Sequence, residues 1–179
     1  MSREDMAEIV NVVNLYALAV DTLQFDLFER VFTPEATVDF PKFTLTGIGP
    51  IRERFAQAHA PLETTQHFVS NHQVVVSGDE ANCISYSRVR FVRNMPDGGG
   101  NWWETGGWYD DHLVRTPTGW RIDKRVCRTN WWDGNPRVAE TMPTAPARPG
   151  PALLRRVAAA GDIAYVNAIR GPGKAGSKS

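Results

Sequence analysis

Cysteine is scarce in this chain: Cys83 and Cys127 are the only two among 179 residues. They lie far apart and form no metal-ligand spacing, which argues against a cysteine-based zinc module. The expectation is two reduced thiols in a cytoplasmic protein. Excess charge of one sign is also missing. Lys plus Arg number 20 and Asp plus Glu number 20, so the formal net charge is zero. There is no basic surplus to hold nucleic acid or an anionic membrane, and neither is expected as a partner. No apolar run approaches the length of a bilayer span. The charged start Met1-Ser2-Arg3-Glu4-Asp5 leads straight into a helical pattern, so no signal peptide is expected. No two His or Cys residues fall at ligand spacing on one element, and no metal site is expected. The glycines Gly98, Gly99 and Gly100 precede no helix, so they read as a loop and not a phosphate cradle.

Tryptophan is abundant by contrast, with six residues. Trp102-Trp103 and Trp131-Trp132 are adjacent pairs, and adjacent strand residues point to opposite faces. Each pair therefore places one indole on either side of a sheet. Hydrophobic residues make up 42% of the chain, enough for a sizeable core.

Helices come first along the chain. Ile9, Val13, Tyr16 and Val20 recur at helical spacing, with Leu23 closing the stripe, which predicts a helix over 5–23. A short helix follows over 26–32, then a strand over 36–40 and a short piece near 43–45. Gly49-Pro50 opens a third helix that runs to about His59. The stretch from 64 to 132 predicts long antiparallel strands over 64–76, 81–93, 101–115 and 119–132. This order predicts an α+β domain: a strongly bent antiparallel sheet, shaped as a cone-like α+β barrel, with the N-terminal helices enclosing a pocket. The bend is expected at Gly106-Gly107. The domain is expected to span 1–134. Residues 135–179 read as a Pro-rich connector, a helix over 151–170 weakened by Gly161, and a disordered end.

Strand parity sorts the polar residues. His67, Val69, Asn71 and Gln73 share one face of the 64–76 strand, with His72, Val74 and Val76 on the other. A turn at Gly78-Asp79 would set Arg90 opposite His67. Pairing Val114 with Trp120 would put Trp103, Tyr109, Arg125, Cys127 and Thr129 on a common face. A slip of one residue would reverse these faces. Asp21 ends the first helix, where the helix dipole disfavours a carboxylate. A carboxylate bonded to one imidazole nitrogen makes the other a better base, so Asp21 and His67 are the leading candidates for chemistry. Tyr16 could bond a carbonyl or a leaving oxygen, and an Arg could hold developing charge.

Leu15-Tyr16-Ala17-Leu18-Ala19-Val20-Asp21, the run from Phe28 to Phe40, His67-Phe68-Val69-Ser70-Asn71 and Gly119-Trp120-Arg121-Ile122 together carry a resemblance. The chain resembles the SnoaL-like branch of the nuclear-transport-factor-2-like superfamily over residues 5–133. It is most similar to the group holding scytalone dehydratase, bile acid 7α-dehydratase and hexachlorocyclohexane dehydrochlorinase. The resemblance implies a cone-shaped, cofactor-free enzyme, commonly trimeric, with a trimer favoured over a dimer. It implies His67 as general base, Asp21 as its orienter, Tyr16 at a catalytic position and Arg125, with Arg128 close by, as the pocket arginine. Trp103, Tyr109, Asn71 and Cys127 are the expected substrate contacts. The expected reaction is a dehydratase-type elimination on a hydrophobic cyclic molecule such as a steroid-like, terpenoid or polyketide compound. An isomerase, cyclase or epoxide hydrolase in the same pocket is the alternative, as is a non-catalytic ligand-binding or dioxygenase small-subunit role. The position where related ketosteroid isomerases carry their base falls at Asp39-Phe40. The Pro-rich tail is longer than the resemblance requires, and could lid the pocket or reach a neighbouring subunit.

Overall fold

A computed structural model describes residues 2–141 and 154–170. Ser2 caps the first helix, α1 (Arg3–Asp21), by accepting from the Asp5 N–H at 3.0 Å. Ile9, Val12, Val13, Tyr16, Ala19 and Val20 turn inward from it. The helix stops at Asp21. Leu23 lies beyond its end, half-exposed, with a left-handed φ of 57°. A single 3-10 turn, Phe25–Leu27, leads into α2 (Phe28–Val31), then β1 (Phe32–Asp39), β2 (Thr44–Thr46) and α3 (Ile48–His59). Four long strands complete the sheet: β3 (Thr64–Ser77), β4 (Glu80–Val92), β5 (Trp102–Thr116) and β6 (Gly119–Gly134).

The sheet runs in the order β2-β1-β6-β5-β4-β3. It is curved but unclosed, so the expected barrel is an open cone. Nor is it wholly antiparallel, because β1 pairs with β6 in parallel. A hairpin forces neighbouring strands to alternate, but β1 and β6 are far apart along the chain, which leaves their relative direction free. The helices α1, α2 and α3 cover the concave side. Their apolar faces meet Phe32, Val38, Tyr109, Leu113, Trp120 and Ile122 in the main core. A smaller cluster at the far end joins Ala58, Val89, Phe91 and Trp103 to Val138 and Ala139. The Trp pairs straddle the sheet: Trp103 is fully buried while Trp131 is 43% exposed.

Bulges decide which side chains face inward. In the β3–β4 hairpin, Ser77 pairs with Glu80 and Gln73 with Ile84, as the turn predicts. The register then shifts between Gln73 and Ser70, where Asn71 takes a φ of 54°. Beyond that bulge His67 pairs with Val89, and Arg90 sits opposite Gln66. His67 and Val69 therefore face the interior, but past the bulge the interior face passes to Val74 and Val76. In the β5–β6 hairpin the tip is one residue off the expected pairing, with Val114 opposite Arg121. A second shift between His112 and Leu113 restores parity, so Tyr109 meets Cys127 and Asp111 meets Arg125. A third shift lies between Gly106 and Gly107. A Cβ on Gly107 would run into the Arg128 carbonyl, so only glycine permits that close strand approach.

The tail differs from the expected connector and single helix. Pro136–Ala139 is a 3-10 turn that buries Val138 and Ala139 beneath Trp103. The helix splits at Gly161 into α4 (Leu154–Ala160) and α5 (Ala164–Arg170). Residues 154–170 do not lid the concave side. They lie on the outer face, where Ile163 is buried and the Asp110 carboxylate accepts from the Ala164 N–H at 2.7 Å. Burial pushes the Asp110 carboxyl up from its ordinary value. Asp110→Ala should weaken α5 docking by about 1 kcal/mol. Amide exchange at Ala164 and Tyr165 should quicken accordingly, and unchanged exchange would show that Ile163 alone holds the helix. The expected disordered end, 171–179, lies outside the described residues, as does most of the predicted connector.

Candidate active site

The edge of the sheet and the end of α1 build the site together. As an edge strand, β3 leaves alternate N–H groups without a strand partner. The Asp21 carboxylate, set at the C-terminus of α1, takes one of them: His67 N–H donates to Oδ2 at 2.8 Å. The His67 Nδ1 lies 2.6 Å from Oδ1, and the Thr65 hydroxyl donates to the same oxygen at 2.8 Å. Burial pushes the Asp21 carboxyl up, but these hydrogen bonds from His67 and Thr65 outweigh it and hold the group below its ordinary value. An ionised carboxylate only accepts, so Nδ1 carries the hydrogen, and in the neutral ring Nε2 holds the lone pair. The unfavourable position at the helix end is thus offset by hydrogen bonds from the strand.

The imidazole stands at the wall of an interior cavity of about 40 Å³. Its ring meets Tyr16 and Phe91 edge-on at 6.0 and 6.4 Å. Phe40, Phe55 and Val89 supply further apolar wall, while Ser87, Thr105 and Thr129 add hydroxyls. The space suits a few waters, so a ring compound is admitted only if the aromatic walls part.

Two expected contacts line this cavity, Tyr109 and Cys127, and so does Tyr16. Burial pushes the hydroxyls of Tyr16 and Tyr109 above their ordinary value, which keeps both protonated as donors. Cys127 and Cys83 are free thiols, and burial raises Cys127 to about 12.

Three expected site residues are placed elsewhere. Arg125 is fully buried and does not touch the cavity. Its guanidinium lies 4.2 Å from the Tyr16 ring centre and 4.3 Å from that of Tyr109, with Asp111 accepting from Nε and Nη2 at 2.7 Å each. Arg128 borders the cavity instead, but its guanidinium is tied to Asp39. Asn71 turns to the outer face, in a cleft shared with Tyr86, Leu154 and Tyr165, because the bulge reverses its side. Trp103 is on the inner face but stands behind Phe91, 5.3 Å away, and leaves the cavity untouched.

The residue patterns overlooked Thr65, Ser87, Phe91 and His59. Thr65 is two residues from His67 on the same strand face, a signal that parity alone offered. Ser87 and Phe91 needed the true β3–β4 register. His59 follows Ile51 and Phe55 at four-residue steps on the buried side of α3.

An open cone of bent sheet and helices is the nuclear-transport-factor-2-like fold, and a solved protein of that superfamily from Salmonella enterica superimposes on it with a TM-score of 0.62. The SnoaL-like domain model matches residues 1–126, and the chain belongs to that family. It is 37% identical over 128 residues to an uncharacterized protein of Mycobacterium tuberculosis, covering 68% of this chain and 83% of the relative. A candidate aromatic ring hydroxylase from Novosphingobium aromaticivorans superimposes with a TM-score of 0.70 at 27% identity, covering 78% of this chain and 99% of that one. A candidate scytalone dehydratase from the same organism gives 0.66 at 21% identity, covering 73% and 87% respectively. Some of the fold's neighbours are thus dehydratase-like. No helix of the described residues is long and apolar enough to cross a membrane.

Proposed function

We propose that the chain is a cofactor-independent lyase that performs a dehydratase-type elimination on a hydrophobic cyclic small molecule. The observation that carries this reading is the 2.6 Å contact between His67 Nδ1 and the ionised Asp21 at the wall of an apolar cavity. The family and its dehydratase-like neighbours support it. His67 Nε2 takes a proton from carbon next to an activating group. The C–H electrons form the new double bond, the C–O bond breaks, and the departing hydroxide recovers the proton from the imidazolium as water. Asp21 stabilises that imidazolium. Tyr16 donates to the activating carbonyl or to the leaving oxygen. Arg125, held beneath the rings of Tyr16 and Tyr109, acts through them as a positioning residue.

Mass analysis of products from a panel of cyclic alcohols and halides tests the reaction class. Loss of water or halide is the expected result, whereas unchanged product mass would replace elimination with isomerisation or cyclisation. We further propose a homo-oligomer, a trimer in preference to a dimer, with no nucleic-acid or membrane partner. Exposed Phe68, Tyr86 and Trp131 on the outer sheet face favour self-association. Light scattering that reports a monomer would end that part of the proposal.

A further inference from the structure

His59 is a second imidazole at the cavity, and the mechanism above leaves it unused. Its Nδ1 lies 2.8 Å from the Phe55 carbonyl oxygen, which only accepts, so the hydrogen is on Nδ1 and Nε2 holds a bare lone pair. Burial lowers the imidazole to a pKa of about 4, so the ring stays neutral near pH 7. The ring lies flat against Phe55 at 5.7 Å, with Phe25 at 6.0 Å and Phe91 at 6.4 Å, and this packing fixes its direction.

Among the described residues nothing donates to His59 Nε2, and the residue faces space on two sides. His59 borders the interior cavity together with His67, and it borders a second cleft of about 60 Å³ together with Asp21, Leu23, Leu62 and Thr65. His59 is the wall shared between them.

We propose that His59 determines specificity: its Nε2 is a fixed acceptor for a hydroxyl on the substrate, so the site selects ring alcohols over the matching halides and ethers. This rests on the elimination reading above. A hydroxyl that donates to Nε2 keeps its own lone pairs free for the proton arriving from His67. A halide or ether offers no hydrogen to Nε2 and leaves that acceptor unpaired in an apolar setting.

The test uses the full chain, labelled with nitrogen-15 at histidine, and two probes, phenol and toluene. Phenol should bind roughly 5- to 10-fold more tightly than toluene. It should also move the His59 Nε2 resonance, which toluene leaves in place. His59→Phe keeps the flat packing on Phe55 and should erase the preference, whereas His59→Gln retains an acceptor and should keep part of it. A phenol complex without a His59 shift, no measurable phenol binding, or an unchanged preference in His59→Phe would each overturn the proposal. Loss of the preference in His67→Phe but not in His59→Phe would overturn it too, and would leave the elimination intact. Failure of every alcohol to react while the binding ratio holds would overturn the elimination and support His59 as the acceptor.

Discussion

Replacing His67 with Ala should lower kcat/KM for the alcohol identified by product analysis by about 10²–10⁴. The fold should survive, because Thr65 still donates to Asp21 and the strand N–H at position 67 remains. Asp21→Asn should be as severe for a different reason. The Asn carbonyl oxygen would accept from the strand N–H, which turns its amide N–H toward Nδ1. That forces the hydrogen onto Nε2, where the lone pair is needed. Steady-state kinetics with both variants checks this, and full activity in His67→Ala would remove His67 as the base. The same carboxylate has a pH signature. Its folded pKa is depressed, so its stabilisation is present above the ordinary carboxylate pKa of about 3.9 and is lost as pH falls through the folded value. The stability gap between the parent chain and Asp21→Asn, read by urea unfolding, should therefore shrink on acidification.

Breaking the Arg125–Asp111 pair should be the largest single loss of stability. Both side chains are wholly buried, with 0% of either exposed. Asp111→Asn or Arg125→Met leaves one charge in the core without its partner, at a cost of about 3–5 kcal/mol. That is a large part of the roughly 5–15 kcal/mol that a domain possesses. The double variant Arg125→Met, Asp111→Leu removes both charges and should recover most of the loss, since desolvation of the pair offsets much of its attraction. Urea midpoints for the two single variants and the double variant measure the coupling. A cost below about 1 kcal/mol in both single variants would mean that water reaches the pair.

Much of the fold was legible in residue order. The spacing of Ile9, Val13, Tyr16 and Val20 announced α1, and Gly78-Asp79 announced the turn of the β3–β4 hairpin. The link between Asp21 and His67 was readable from a carboxylate at a helix end and a histidine on an apolar-facing strand, strengthened by the family pattern. Asn71 was misplaced because parity counting presumes an unbroken ladder, and that residue itself sits in the bulge. Arg125 was assigned to the correct face, but facing inward does not mean reaching the cavity. Asp111, at the opposite ladder position, draws its guanidinium under the tyrosine rings.

Local sequence by itself determined the order of helices and long strands and which apolar stripe the first helix would bury. Those properties depend on side chains a few residues apart, within reach of periodicity and turn chemistry. The tertiary structure decided the rest. It set the parallel pairing of β1 with β6, the bulges that reassign faces, the burial of Arg125 and the place of His59 between two cavities. Each of these depends on contacts between residues far apart in the chain, where register and packing choose among faces that the local pattern leaves equivalent.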